Sequence, residues 1–147
     1  MKETDPRMHS AEHILTGTLI RMFGCRRPFT THLEKKKSKA DYAFTRPLSQ
    51  TEVGDLERRV NEVIAQNLPV TEEHLHRDSA AASFDLARLP EETGDTVRIV
   101  HIGDYDACPC SGTHVGSTAE IGLFRIVSTT FDDGALRVRF RLGKQDG

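Results

Sequence analysis

The sequence is short of cysteine: Cys25, Cys108 and Cys110 are its only thiols. An odd count with two members nearly adjacent excludes a disulfide scaffold and points to a reducing compartment, so a cytoplasmic protein is expected. No apolar run approaches the roughly 20 residues that cross a bilayer, so no membrane partner is expected. The opening M-K-E-T-D-P-R-M has no apolar stretch of the kind a secretory leader carries. Internal repeats, low-complexity tracts and linker-like stretches are missing. The length of 147 residues is too small for a large ATP-driven ligase with its own activation site. A single domain over residues 1–147 is expected, with no obligate protein partner evident. A Ser-His-Asp arrangement is also lacking, which argues against a covalent acyl-enzyme.

What is present is a soluble, globular composition, 37% hydrophobic and 29% charged. The net charge of −2 is unevenly spread. Residues 26–46 carry seven basic side chains against Glu34 and Asp41, a local net of +5, whereas residues 47–95 carry a net of −7. Such a segment is either a solvated loop or a phosphate-facing patch.

Asp5-Pro6 reads as an N-cap followed by proline at the first helical position, and Gly24 as the residue past the helix end. Within that span Met8, Ala11, Leu15, Leu19 and Met22 form one apolar stripe. His9, His13, Thr16 and Ile20 lie beside it. Pro28–Leu33 and Ala40–Thr45 read as strands around the K-K-K-S-K connection. Ser49-Gln-Thr-Glu52 is a capping box. It opens a helix whose apolar face carries Val53, Leu56, Val60, Val63, Ile64 and Leu68, ended by Pro69. A strand over Val70–Leu75, a short helix capped by Asp78 and running to Leu86, and a buried strand over Thr96–Ile102 follow. Ile121–Thr130 and Ala135–Leu142 flank D-D-G as a hairpin. In its second arm Val138, Phe140 and Leu142 face one way and Arg137, Arg139 and Arg141 the other. Antiparallel hairpins without a βαβ rhythm predict an α+β fold, a mostly antiparallel sheet with helices packed on one face.

Two motifs carry chemistry. His9-Ser-Ala-Glu-His13 puts two imidazoles one helical turn apart, and Cys110-Ser-Gly-Thr-His114 can wrap a loop around the same ion. Either alone is ordinary. Together, His9, His13, Cys110 and His114 make a three-nitrogen, one-thiolate set that suits Zn²⁺. Glu12 is expected to face solvent, about 100° round the helix from His13. His32, His74, His76 and His101 are expected to be surface or structural residues.

The stretches M-H-S-A-E-H-I-L-T-G-T-L-I-R-M-F-G and G-D-Y-D-A-C-P-C-S-G-T-H-V-G-S-T-A-E-I-G resemble the editing domain of alanyl-tRNA synthetase. At this length the chain is similar to the free-standing alanyl-tRNA editing proteins of the AlaX type, short form. That resemblance implies an editing-domain-like fold and a zinc-dependent aminoacyl-tRNA deacylase. Its partner would be tRNA(Ala) carrying a wrong amino acid, serine first and glycine second. It also implies Zn²⁺ on His9, His13, Cys110 and His114. The family string C-G-G-T-H has Ser111 at its second position here. Cys108 is read as a bystander, stiffened away from the ion by Pro109. Thr113 and the Gly112 backbone are candidates to stabilise an oxyanion. Thr30, just after the aromatic Phe29, is a candidate for the amino-acid pocket by the resemblance, and Thr16 is a second; Thr31 is read as packing. Lys35, Lys36, Lys37, Lys39, Arg26 and Arg27 become candidates for tRNA phosphates, with the Arg137–Arg141 face behind them. A zinc-stabilised tRNA-binding module without turnover, a threonyl-type editing domain and a zinc hydrolase of a small ester are the alternatives. The four protein donors fill a tetrahedral shell, which leaves open whether the zinc activates water or only positions substrate.

Overall fold

The computed structural model describes residues 5–84, 95–110 and 112–143. Helix α1 (Pro6–Phe23) starts where the Asp5 carboxylate accepts from the N–H groups of Arg7 and Met8. It stops at Gly24, whose φ of 68° lets its N–H reach the Ile20 carbonyl. Strands β1 (Thr30–Leu33) and β2 (Ser38–Ala43) follow. Strand β2 starts two residues earlier than expected. Ser38 Oγ accepts from the Glu34 N–H and donates to the Glu34 carbonyl, closing the turn at residues 34–37 and putting Lys39 on the strand.

Helix α2 (Gln50–Ala65) has the expected capping box between Ser49 and Glu52. It ends three residues short of Leu68, because Asn67 takes a left-handed φ of 52° before Pro69 can act as the stop. Strand β3 (Val70–His76) runs into α3 (Arg77–Ser83), whose N-cap is His76 rather than Asp78. Its imidazole accepts the Asp78 N–H, so Asp78 sits in the first turn. Phe84 is extended and ends that helix, and the expected continuation to Leu86 lies outside the described residues. Strands β4 (Thr96–Ile102) and β5 (Asp106–Pro109) come next. A 3₁₀ turn over Thr118–Ile121, boxed by Ser117 and Glu120, delays β6 to Phe124–Asp132. The hairpin closes with β7 (Ala135–Leu142).

All paired strands are antiparallel, in two sheets ordered β1-β2-β7-β6 and β3-β4-β5. The fold is α+β. Helices α1 and α2 pack on the inner face of the four-stranded sheet, where Met8, Leu15, Leu19, Leu56, Val60, Tyr42, Val138 and Phe140 share one core. Fully burying one such side chain contributes about 1.5–3 kcal/mol. A small second cluster of Ala80, Val97 and Ile99 sits against α3. Among the described residues, no helix is long and apolar enough to cross a membrane.

Candidate metal centre

Helix α1 presents His9 and His13 one turn apart, and the loop after β5 brings Cys110 and His114 to them. The four donor atoms lie within 4.8 Å of one another. Cys110 Sγ stands 3.2 Å from His9 Nε2 and 3.5 Å from His114 Nε2. The three imidazole centroids are 4.1–5.0 Å apart. Covalently, the two halves are about a hundred residues apart. They meet because Ser10, on α1 between the histidines, bonds His114 Nδ1 at 2.9 Å and accepts from the Val115 N–H.

Each imidazole is turned by its other nitrogen. His9 Nδ1 faces the Thr113 carbonyl at 3.2 Å, and His114 Nδ1 faces Ser10 Oγ. His13 Nδ1 is fully buried and has no hydrogen-bond partner among the described residues, but it lies 3.6 Å from Asp106 Oδ2, an ion-pair distance. Asp106, 6% exposed, is itself held by Arg27 through two bonds of 3.1 and 2.9 Å. Outer-shell partners of this type orient metal-binding histidines. Gly112 completes the cradle: a Cβ there would fall 2.5 Å from His9 Nδ1, so no other residue fits without moving the ring.

The electrostatics favour the donor form of the thiol. Burial opposes ionisation of Cys110, but the three facing imidazoles outweigh it and bring its pKa down to about 3. Burial also disfavours charge on His13, yet Asp106, Cys110 and Glu12 push its pKa up to about 9. Burial lowers His114 to about 4, keeping it neutral. Without an ion the cluster sets a thiolate against a protonated His13 and a neutral His114, so a cation that takes all four donors displaces the His13 proton. His9, His13, Cys110 and His114 form a group able to hold a metal ion. Cys108 is not in that group, and burial pushes its thiol up to about 12, so it stays protonated.

Several expectations change. Glu12 does not face solvent: it is 7% exposed and accepts a 2.6 Å bond from Thr16 Oγ1. The reason is that Thr16 and Tyr42 line that side of α1, with Thr16 Oγ1 also 2.8 Å from the Tyr42 hydroxyl. Thr16 is fully buried and its hydroxyl is committed to that chain. Arg27 is committed to Asp106, not free for phosphate. Thr30 is exposed opposite Asp41, on the outer sheet face with Arg137, whereas Thr31 stands opposite Ala40 on the face turned to α1. Thr113 is exposed and gives its carbonyl to His9, while the Gly112 carbonyl accepts from Arg98 at 2.7 Å. Ser111 lies outside the described residues. Lys35, Lys36, Lys37 and Arg26 are exposed; Lys39 faces Arg139 across β2 and β7. The other histidines are peripheral, with His101 on Glu73 and His74 near Glu72.

Ser10, Asp106 and the true role of Arg27 were missed. Ser10 had a signal, being placed between two candidate ligands on one helix turn. Asp106 alternates with Cys108 and Cys110, a period-two pattern that a strand would have put on one side.

Residues 97–139 match the family model described as the threonyl and alanyl tRNA synthetase second additional domain. The chain is 34% identical over 137 residues to the alanine–tRNA ligase of Fervidobacterium nodosum, covering 92% of this chain and 16% of that protein. It is 35% identical over 121 residues to that of Caldicellulosiruptor saccharolyticus, covering 82% and 14%. A Coxiella burnetii alanine–tRNA ligase is 39% identical over 123 residues, covering 83% and 14%. The chain thus spans about a sixth of the length of these relatives or less.

Proposed function

We propose that this chain is a zinc-dependent deacylase of tRNA(Ala) carrying serine or glycine, a reading supported by its match to the threonyl and alanyl tRNA synthetase second additional domain and its similarity to alanine–tRNA ligases. The observation that supports this reading most directly is the convergence of His9, His13, Cys110 and His114 from two distant segments, with a thiolate at its centre. His9, His13 and His114 would offer Nε2 and Cys110 its sulfur to the ion. Bound there, zinc would supply Lewis-acid polarisation of an ester carbonyl, a water of lowered pKa, or an anchor for the substrate's amino group.

The chain's own residues hold that arrangement still. Ser10 orients His114, Asp106 with Arg27 backs His13, and the Thr113 carbonyl orients His9. Ser10 is fully buried and bonded on both sides, and among the described residues His114 has Cys110 and no carboxylate on its other nitrogen, so Ser10 is not an activated nucleophile. Direct attack by water on the aminoacyl ester is therefore the reading. The Thr113 hydroxyl and N–H lie at the exposed rim and are the donors we assign to the developing oxyanion. Thr31, on the inner face with Tyr42, takes over from Thr30 as the candidate that meets the side chain of the misattached amino acid.

A second reading, a zinc-stabilised RNA-binding module, is favoured by one observation: four protein donors already fill a tetrahedral shell. Release of serine from Ser-tRNA(Ala), with and without chelator, separates the two. Chelator-sensitive release supports the deacylase. Binding of the tRNA without release at any metal content leaves only the module. Threonyl-type editing is tested in the same assay with Ser-tRNA(Thr), which we expect to be hydrolysed far more slowly.

A further inference from the structure

At the end of the four-stranded sheet where the β1–β2 turn comes beside β7 and β6 lies a groove of about 600 Å³. Lys36 and Lys37 reach it from the turn between β1 and β2, and Arg125 and Arg141 from β6 and β7. All four are exposed, and none has a hydrogen-bond or ion-pair partner among the described residues. Among the described residues one carboxylate lines the groove, that of Glu57, and it accepts the Ile126 N–H at 2.7 Å. Arg125 and Arg141 are direct cross-strand partners. Like charges directly opposite each other on one sheet face repel and destabilise the pair. The chain as a whole is acidic, so this gathering is not a by-product of general basicity.

An uncompensated cluster of this kind is stabilised when anions enter it. We propose that this groove binds the phosphodiester backbone of an RNA, taking two or more successive phosphates between the lysine turn and the arginine pair. Two arginines fixed on paired strands present planar donors at strand spacing, while the two lysines sit on a turn that can follow the backbone. A lone small anion would need only one of those two sets. The choice of RNA rests on the deacylase reading above, whose substrate ends in an ester on a tRNA. The groove, however, is argued from its own charges, and its test uses uncharged RNA.

The experiment is binding of an uncharged acceptor-stem RNA hairpin to the full chain over a range of salt concentrations. Each phosphate contact adds about 0.7–0.9 to the slope of log K against log salt. The Arg125→Ser/Arg141→Ser double variant should flatten the slope by about 1.5, and Lys36→Ser/Lys37→Ser by a similar amount. Arg58→Ser/Arg59→Ser, which removes the same charge from α2, should leave it unchanged. The arginine-pair variant should melt no lower than the parent, since it relieves a repulsion. Equal flattening by the α2 variant would mean that only net charge matters and would overturn the groove. An unaltered slope in both groove variants would overturn it as well, leaving the deacylase untouched. Inorganic phosphate that displaces the hairpin one for one at micromolar concentration would replace the RNA reading with a small-anion site. Groove-dependent RNA binding in a protein that releases no serine would retain this proposal and remove the deacylase.

Discussion

The metal-ready cluster and the basic groove both gather like side chains from distant parts of the chain, and they are held in opposite ways. In the cluster, His13 and Cys110 are buried and His9 and His114 half-buried, and the charges have counterparts: the thiolate answers the imidazoles, Asp106 answers His13, and Arg27 answers Asp106. In the groove, four cations stand in water, and among the described residues one carboxylate lies near them, its Oε1 already accepting the Ile126 N–H. Burial demands internal compensation, because an unpaired charge there costs several kcal/mol. Exposure tolerates imbalance, and a tolerated imbalance is an invitation to an outside partner. The same contrast sorts the two arginines that the sequence grouped together: Arg26 is exposed, whereas Arg27 has been drawn into the cluster's support.

The sharpest way to break that contrast is to remove a donor. Cys110→Ala or His13→Ala should take the metal content of purified protein from one ion per chain to none, by elemental analysis. Serine release from Ser-tRNA(Ala) should fall at least about 100-fold, more than is typical for losing an outer-shell partner. The salt slope of RNA binding should stay where it was. Full metal in either variant would dissolve the assignment of the centre.

Next in size is Gly112→Ala. The added Cβ collides with the His9 ring, which must swing off the Thr113 carbonyl. Metal affinity should drop by about 10–100-fold, the usual cost of misorienting a ligand, while the secondary structure by circular dichroism is kept. Asp106→Asn and Arg27→Met should fall in the same range or below it, because they act on His13 from behind. Arg27→Met carries a second reading: if this residue also met phosphate, the salt slope would flatten. We expect no change in slope, which would set Arg27 apart from the groove for good.

How much of this was legible in the sequence follows from the range of each signal. The caps of α1 and α2, the apolar stripe of each helix and the inward row Val138 and Phe140 depend on residues within a turn or two, and they read correctly, whereas the burial of α1 on its other sides, Glu12 included, did not. The early end of α2 did not, because Asn67 adopting a positive φ is a local choice that Pro69 masked. Strand β5 was missed since its four residues end in proline and are too short for the alternation of Asp106 and Cys108 to stand out from a loop. The four donors were legible because spacing alone brings each pair together. Their supports were not: Asp106 reaches His13 only once β5 has paired with β4 and the loop has closed. The groove was half legible. Lys36 and Lys37 stand out as a run, but Arg125 joins Arg141 through a register that slips by one residue between Ile126 and Ser128. Thr30 and Thr31 show the same limit, since one residue of register decides which of two neighbours faces α1.

That last pair gives the smallest expected effect. An editing site that accepts serine and spares alanine must offer a partner to the serine hydroxyl, and a polar group left unmatched by alanine supplies the discrimination. Thr16 is the weaker candidate for that partner, because it is buried and its hydroxyl donates to Glu12 and shares a bond with Tyr42. Thr30 shares the outer face with Asp41 and Arg137. Thr31 shares the inner face with Ala40 and Tyr42, and its hydroxyl makes no hydrogen bond among the described residues. Thr31→Val keeps the shape and removes the hydroxyl. Loss of one hydrogen bond, about 1 kcal/mol, should reduce the ratio of serine to alanine release roughly fivefold at constant metal content. Thr30→Val, measured alongside, should leave the ratio within error of the parent. If the two variants exchange behaviour, the amino-acid pocket opens on the outer face of the sheet, away from Tyr42, and the inner-face placement of the substrate is wrong.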